Sequence, residues 1–410
     1  MTVALTAADA QVYWMSAKIP NDSFLLYAFD GEPDVETAVA QVLERARAVP
    51  DLGLRVDDRG PLRYPAWVRR KVGADQIALH GGSENWQQCL DAVARLADHQ
   101  LDLRHAAWRL HVFSPVDKLT VAVVQMGHAL GDGVRSSAMA AALFGREANV
   151  PAVQRVRRGF VIARGIAAAR AHKRLARDTA DGLVPSPAPP RPTLSINDKP
   201  RGRTTIRTVI QRRDRMPGPT VTVGVLAAIS DALAGYLRDR GEDPSMLGAE
   251  VPMAKTRVRT ANNHFGNVGV GLYPDLGFDE RAVRIADELE ERRRRGGHPA
   301  FAAGDLSLAA VPALLLRWGV SQFDASARSP VITGNTVVSS VNRGPADLTF
   351  GGRPVVLTAG YPALSPMMGL THGVHGIGNA IAISVHADES TVDVDDYVDR
   401  LSATVCPWDS

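Results

Sequence analysis

Cysteine is almost missing from this 410-residue chain: there are two, Cys89 and Cys406. Two distant thiols make no disulfide framework, neither lies in a metal-ligand spacing, and the chain suits a reducing compartment. Lysine is scarce as well, with 6 against 41 arginines, and the formal net charge is only +3. That is too little for the electrostatic footprint of a nucleic-acid binder. No run approaches the ~18 consecutive apolar residues of a membrane span. The opening MTVALTAADAQVYWMSAK lacks the basic stretch and continuous apolar core of a secretory signal. A soluble cytoplasmic chain is the expectation. The 36 glycines and 26 prolines follow no period, which excludes a collagen-like chain, and no tandem repeat is visible.

What is present is ordinary globular composition, 45% hydrophobic and 22% charged, long enough for two domains. Phe24–Phe29 and Leu119–Met126 read as buried strands, and Val35–Ala48 and Trp86–Ala97 show helical apolar spacing. Asp34 caps the first helix, and Ser83 or Glu84 begins the second. Residues 1–150 form a first unit. Residues 151–202 form a connector: Arg155–Arg177 carries eight Lys/Arg and predicts a basic amphipathic helix, and Val184–Pro192 predicts a stiff, extended linker. A solvated face is the plain reading of that helix; a membrane surface or an acidic partner is the sharper one. Residues 203–410 form a second mixed unit, with a helix over Val221–Leu237, strands at Val331–Val341, Arg353–Thr358 and Ala380–Val385, and a helix over Asp395–Ala403. Arg292–Arg295 reads as a solvated helix end. Leu306–Val320 reads as a buried helix or pocket wall, with dipping into a bilayer interface as the alternative; Pro362–Leu370 is a second candidate wall. The fold class is α/β (α+β) in two related halves, whose interface is a favoured place for an active site.

The chemistry concentrates in Gly127-His128-Ala129-Leu130-Gly131-Asp132-Gly133, between an apolar strand and a helical segment. An imidazole near its natural pKa can take a proton from an alcohol or amine at neutral pH. Asp132 can orient it, or anchor the loop through an arginine. The glycines permit a tight turn. The same loop also reads as a plain turn holding a hydrogen-bonded histidine. One His and one Asp are too few for a metal site, and no G-x-S-x-G elbow is present. His80, His99, His105, His111, His172 and His298 read as surface or satisfied residues.

At this segment the sequence resembles the bacterial wax ester synthase/diacylglycerol acyltransferase family, part of the superfamily of chloramphenicol acetyltransferase, carnitine acyltransferases and condensation domains. The family mark H-H-x-x-x-D-G is here G-H-x-x-x-D-G. Similarity continues in LTAADAQVYWM and FDGEPDVETA, in Leu101–Phe113 (Trp108 kept, Ala106 and Ala107 in place of Pro and Leu), in His264–Leu276 (the family's G-N segment) and in Val337–Pro345 (its S-N-V-P-G-P segment). The resemblance implies two acetyltransferase-like subdomains forming a pseudo-dimer with a central tunnel. It implies an acyltransferase that moves an acyl group from an acyl-CoA or acyl-carrier thioester, as co-substrate, to a fatty alcohol, diacylglycerol or other alcohol. Ester or amide formation in specialised metabolism, and a non-catalytic binding module, are the alternatives. His128 is then the general base, Asp132 fixes the loop through an ion pair, and Gly133 leaves room at the tunnel. Neither a metal nor a cofactor is implied. Ser339, Ser340 and Asn342, with Asn267 as a wall residue, are candidates for contact with substrate and oxyanion; each also suits a turn. Implied partners are a small-molecule acyl donor and acceptor, an acyl carrier protein as a further possibility, and peripheral membrane contact. Gly127 in place of the first motif histidine predicts a wider pocket or a looser loop. The family's Asn-Asp pair falls at Thr222 or Val223 and Gly224.

Overall fold

Strand Ser23–Asp30 shows how the architecture is set. Phe24, Leu26 and Ala28 point into one hydrophobic cluster and Leu25, Tyr27 and Phe29 into another, so both faces are covered and the strand is one continuous apolar run. It lies inside a six-stranded sheet with the order Thr349–Phe350, Arg353–Gly360, Ser23–Asp30, Leu119–Met126, Trp108–Val116, Ile77–His80. Only the last pair is parallel. A second six-stranded sheet runs Phe265–Gly271, Gly248–Ala254, Thr336–Asn342, Leu370–Ile377, Ala380–Asp388, Thr204–Arg212, with two parallel pairs beside Thr336–Asn342. The computed structural model describes residues 2–82 and 85–405.

Helices Ala7–Met15, Val35–Ala48 and Gly133–Leu143 pack on one face of the first sheet. Asp34 caps the second of these by accepting from the Glu36 amide. Helix Trp86–Ala97 is capped by Asn85; the starting positions read at Ser83 and Glu84, like Cys406, lie outside the described residues. This helix buries Cys89, Leu90 and Val93 against Phe24 and Leu26, together with Ile206 and Ala382 of the second sheet. The two lobes therefore share a core. In the second lobe the helix Val221–Arg238 is long and apolar enough to cross a membrane. It is nevertheless the central core helix, packed against Phe278–Gly296, Val394–Val405 and the sheet.

Five sequence readings change. The unit drawn over 203–410 does not keep to itself: Thr349–Phe350 and Arg353–Gly360 belong to the first sheet, where the latter pairs antiparallel with Ser23–Asp30. The basic helix begins only at Val161 and runs to Ala180, burying Ala168 and Leu175. The proline-rich stretch is extended but docked. Arg191–Pro192 pairs with Val331–Ile332, the Arg191 side chain is buried, and the Pro185 and Ser186 carbonyls accept from Arg295 and Arg292. Arg292 is accordingly not solvated; it is buried and paired with Glu288. Finally, the stretch read as one wall or helix at Leu306–Val320 is a helix pair, Pro299–Ala310 and Ala313–Ser321, bent by 103°. The bend falls at Pro312, which cannot donate into the preceding turn.

Candidate active site between the lobes

His128 leaves strand Leu119–Met126 on a loop that runs straight into helix Gly133–Leu143. Asp132 is the N-cap of that helix and accepts from the Arg135 amide at 3.1 Å. Its other oxygen accepts from Arg259 Nη1 at 2.7 Å and from the His264 amide at 2.9 Å. Burial pushes this carboxyl up, but the Arg259 guanidinium and the two amides outweigh burial and hold it below the ordinary carboxylate range.

The loop is also gripped through its carbonyls. Asn263 Nδ2 donates to the His128 carbonyl at 2.8 Å, and Asn262 Nδ2 donates to that of Ala129 at 3.1 Å. Asn262 and Asn263 are held in turn by Asp9 of helix Ala7–Met15, which accepts from their amides at 3.0 and 2.9 Å. Burial raises the Asp9 carboxyl despite these donors. The segment 259–264 thus clips onto the motif loop, and a buried carboxylate clips it from behind. This leaves the His128 ring half-buried, 5.8 Å from the Phe265 ring, with a buried Nδ1 that has no hydrogen-bond partner.

Gly127 neither widens a pocket nor loosens the loop. It is buried, its amide donates to the Ala107 carbonyl, and a Cβ placed on it would lie 2.2 Å from Leu103 Cδ2. Leu103 fills the volume into which a side chain would grow. Gly133 is exposed, and a Cβ there would lie 3.4 Å from Val341 Cγ2. This contact sets strand Thr336–Asn342 of the second lobe against the start of the motif helix.

The candidates on that strand separate by the alternation of its side chains. Ser339 shares the face of Val341, toward the motif helix. Ser340 faces the other way, with its hydroxyl 2.8 Å from Thr222 Oγ1. Thr222 is thus the polar position among the three where the family carries Asn-Asp. Gly224 is confined to glycine by close approach, since a Cβ would sit 1.9 Å from the Pro217 carbonyl oxygen. Asn342 is exposed at the strand end, and its Oδ1 accepts from Arg213 at 3.2 Å and from the Gly344 amide at 3.1 Å. Its groups go into a turn, away from His128. Asn267 is exposed and donates to Glu250, whose carboxyl is raised by burial.

The structure therefore brings His128, Asp132, Gly133 and Ser339 to one interface and leaves Ser340, Asn342 and Asn267 in other contacts. Arg259, Asn262, Asn263 and Asp9 are the site residues that the sequence reading missed. The one available signal was the Asn-Asn pair just before His264. A cavity of about 660 Å³ behind the loop is lined by Asn262, Asn263, His264, Leu306 and Leu308, among others. A smaller one of about 280 Å³ is lined by Ala363, Leu364 and Pro366. Other histidines have structural partners: His80 and His111 bond each other at 2.9 Å, and His298 caps a helix and meets Asp178 at 3.2 Å.

A His-x-x-x-Asp-Gly loop is thus clamped between two mixed sheets, the first of which takes strands from the second lobe. The profile of the wax ester synthase/diacylglycerol acyltransferase catalytic domain matches residues 28–264, and the chain belongs to that family and is an acyltransferase. The fold is similar to the wax ester synthase/diacylglycerol acyltransferase from Marinobacter aquaeolei VT8, with 19% identity, TM-score 0.65 and 98% of each chain covered. It is also similar to the starter condensation domain of rhizomide synthetase in complex with C8-CoA and Leu-SNAC, with 14% identity, TM-score 0.58, and 98% of this chain and 93% of that one covered. The first condensation domain of the calcium-dependent antibiotic synthetase gives 14%, 0.59, 99% and 95%. No curated protein matches the chain in sequence.

Proposed function

We propose that the chain transfers an acyl group from an acyl-CoA thioester to a hydroxyl acceptor, with His128 as general base. The observation that carries this is the His128 loop itself. Four groups of the 259–264 segment hold it, two at the carbonyls of His128 and Ala129 and two at the Asp132 carboxylate, while the half-buried His128 ring makes no hydrogen bond among the described residues. A group held so firmly yet left chemically uncommitted is suited to exchange a proton with a substrate.

In the step, the imidazole takes the acceptor's hydroxyl proton as the oxygen attacks the thioester carbonyl carbon. A tetrahedral oxyanion forms and collapses with cleavage of the carbon–sulfur bond. The imidazolium returns its proton to the leaving thiolate, so atoms and charge balance. The oxyanion needs a donor, and Ser339 is the hydroxyl on the strand face turned toward the motif helix. Asp132 serves by holding the loop. An amine acceptor follows the same steps, and the condensation domain bound to C8-CoA and Leu-SNAC supports keeping it as the second reading.

The test is thiol release from a series of acyl-CoA donors, measured with and without alcohols and amines. Release that requires an alcohol and is lost in His128→Ala supports the reading. Release only with amines moves it to the amide-forming alternative, and release unaffected by His128→Ala removes the base.

A further inference from the structure

The cavity of about 280 Å³ is closed by both lobes. Ile19 and Phe24 of the first lobe line it, and so do Leu364, Pro366 and the His386 ring of the second. Its walls are mainly apolar, and one buried carboxyl belongs to them, that of Asp22, 5% exposed.

Asp22 differs from the other buried aspartates. Asp9, Asp132 and Asp388 each use both carboxylate oxygens as acceptors. Asp22 accepts from the Leu101 amide and from Gln125 Nε2, both at 2.7 Å and both on Oδ2. Its Oδ1 has no donor and its charge no cation among the described residues, and burial pushes the carboxyl up to about 6 against those two donors. The group is nevertheless held in place. Gln125 gives its amide also to the His99 carbonyl at 2.8 Å, and its oxygen meets His111 at 3.1 Å, so it cannot turn away from Asp22.

The His386 ring adds an acceptor. Its Nδ1 lies 2.8 Å from the Pro362 carbonyl oxygen, which can only accept, so Nδ1 carries the proton. Nε2 is then a lone pair without a hydrogen bond among the described residues, on a buried ring whose pKa is lowered to about 4 by that burial. Of the other charged lining residues, Lys18 donates to the Ser321 and Phe323 carbonyls at 2.7 Å, and Asp98 and Lys199 are exposed and opposite in sign. A buried carboxylate without a partner is costly. Two unclaimed acceptors, one of them anionic, select a ligand that donates and carries positive charge.

We infer that this cavity binds a small molecule with an apolar body and one protonated amine. The ammonium donates to Asp22 Oδ1, with His386 Nε2 as a second acceptor in the same cavity, and the body lies against Phe24 and Leu364. An ammonium has no lone pair with which to attack a thioester, so the nitrogen held here is not the acyl acceptor. The inference concerns binding and does not rest on the acyl-transfer reading.

The experiment is calorimetric titration of the full chain at neutral pH with three probes that share one body: cyclohexylmethylamine, cyclohexylmethanol and cyclohexanecarboxylate. The amine should bind about tenfold more tightly than the alcohol, the worth of a hydrogen bond to a charged group, and the carboxylate should not bind. Asp22→Asn should remove the amine's advantage and leave the alcohol's affinity unchanged. Amine affinity should fall as pH drops through about 6, where Asp22 takes a proton, while His386 stays neutral across that step. Ala363→Trp fills the cavity from the second-lobe wall and changes no group that bonds Asp22; it should abolish binding of amine and alcohol alike, and it serves as the test even where Asp22→Asn does not fold. Competition of the amine with an acceptor alcohol in thiol release would make it the remote end of the acceptor, and inhibition without competition a separate effector; both keep the site. The calorimetry decides the site whether or not the chain releases thiol, so its failure and that of the acyl-transfer reading stay apart. Absence of amine binding overturns the proposal. So do equal affinities for amine and alcohol, an amine preference that survives in folded Asp22→Asn, and amine binding retained in Ala363→Trp.

Discussion

The motif loop at 127–133 and the strand Thr336–Asn342 meet across the lobe interface, and they are held in different ways. The loop is over-determined: a helix cap, the ion pair of buried Asp132 with Arg259, two asparagine-to-carbonyl bonds and a leucine filling the space beside Gly127 all fix it. The strand is fixed by its ladder and by Val338 in the core, and its polar side chains near the interface divide between a hydroxyl contact with Thr222, a turn at Asn342 and a free face at Ser339. A short sequence motif therefore carries more information where the rest of the chain is built around it. A run of Ser and Asn on a strand does not say which of them faces the chemistry.

Five substitutions, with Ser340→Ala and Leu103→Ala as their controls, would break or sharpen that contrast. The largest effect belongs to His128→Ala, which should cost about 10²–10⁴ in turnover with the fold intact, read by thiol release alongside circular dichroism. Next is Ser339→Ala, expected to cost about 10²-fold in kcat if its hydroxyl meets the oxyanion. An equal loss from Ser340→Ala would erase the distinction between the two faces. Asp132→Ala removes the buried acceptor of the half-buried Arg259 and of the Arg135 and His264 amides and should cost about 3 kcal/mol in denaturant melts. Because Asp132 titrates below its unfolded value, its contribution is complete above the ordinary carboxylate range and disappears as pH falls through the folded value. The gap between wild type and Asp132→Ala should therefore close in acid; a gap that widened there would reverse the assigned shift. Gly127→Ala forces a methyl into Leu103 and should cost about 1–3 kcal/mol. The Leu103→Ala background should absorb part of that cost in a double-mutant cycle, and strict additivity would mean the two side chains do not compete. Smallest is Asn342→Ala, within about 0.5 kcal/mol in stability and with little change in turnover.

Much of the first lobe could be read from the sequence, because Leu119–Met126 is a continuous apolar run and Val35–Ala48 has a clear period with a cap. The His128 loop stood out for the same local reasons. The clamp did not, because Arg259, Asn262 and Asn263 lie more than 120 positions from the loop and Asp9 more than 250 from the asparagines; only the fold brings them together. Leu370–Ile377 was passed over because His and Gly interrupt its apolar pattern. Those glycines are needed where the sheets approach: a Cβ on Gly373 would lie 2.0 Å from the Gly360 carbonyl oxygen. Arg353–Thr358 was legible as a strand, but alternation does not reveal which sheet a strand joins.

That exchanged strand has a consequence for how the chain is made. Until Arg353–Gly360 has left the ribosome, Ser23–Asp30 has an open edge, although its other neighbour, Leu119–Met126, was synthesised more than 200 residues earlier. The nascent first lobe must carry an unpaired strand edge through most of translation, a state prone to pairing with the wrong chain. A truncation anywhere before residue 353 would make that exposure permanent. Conversely, two fragments divided in the proline-rich stretch and expressed together have a built-in means of finding each other, strand completing sheet.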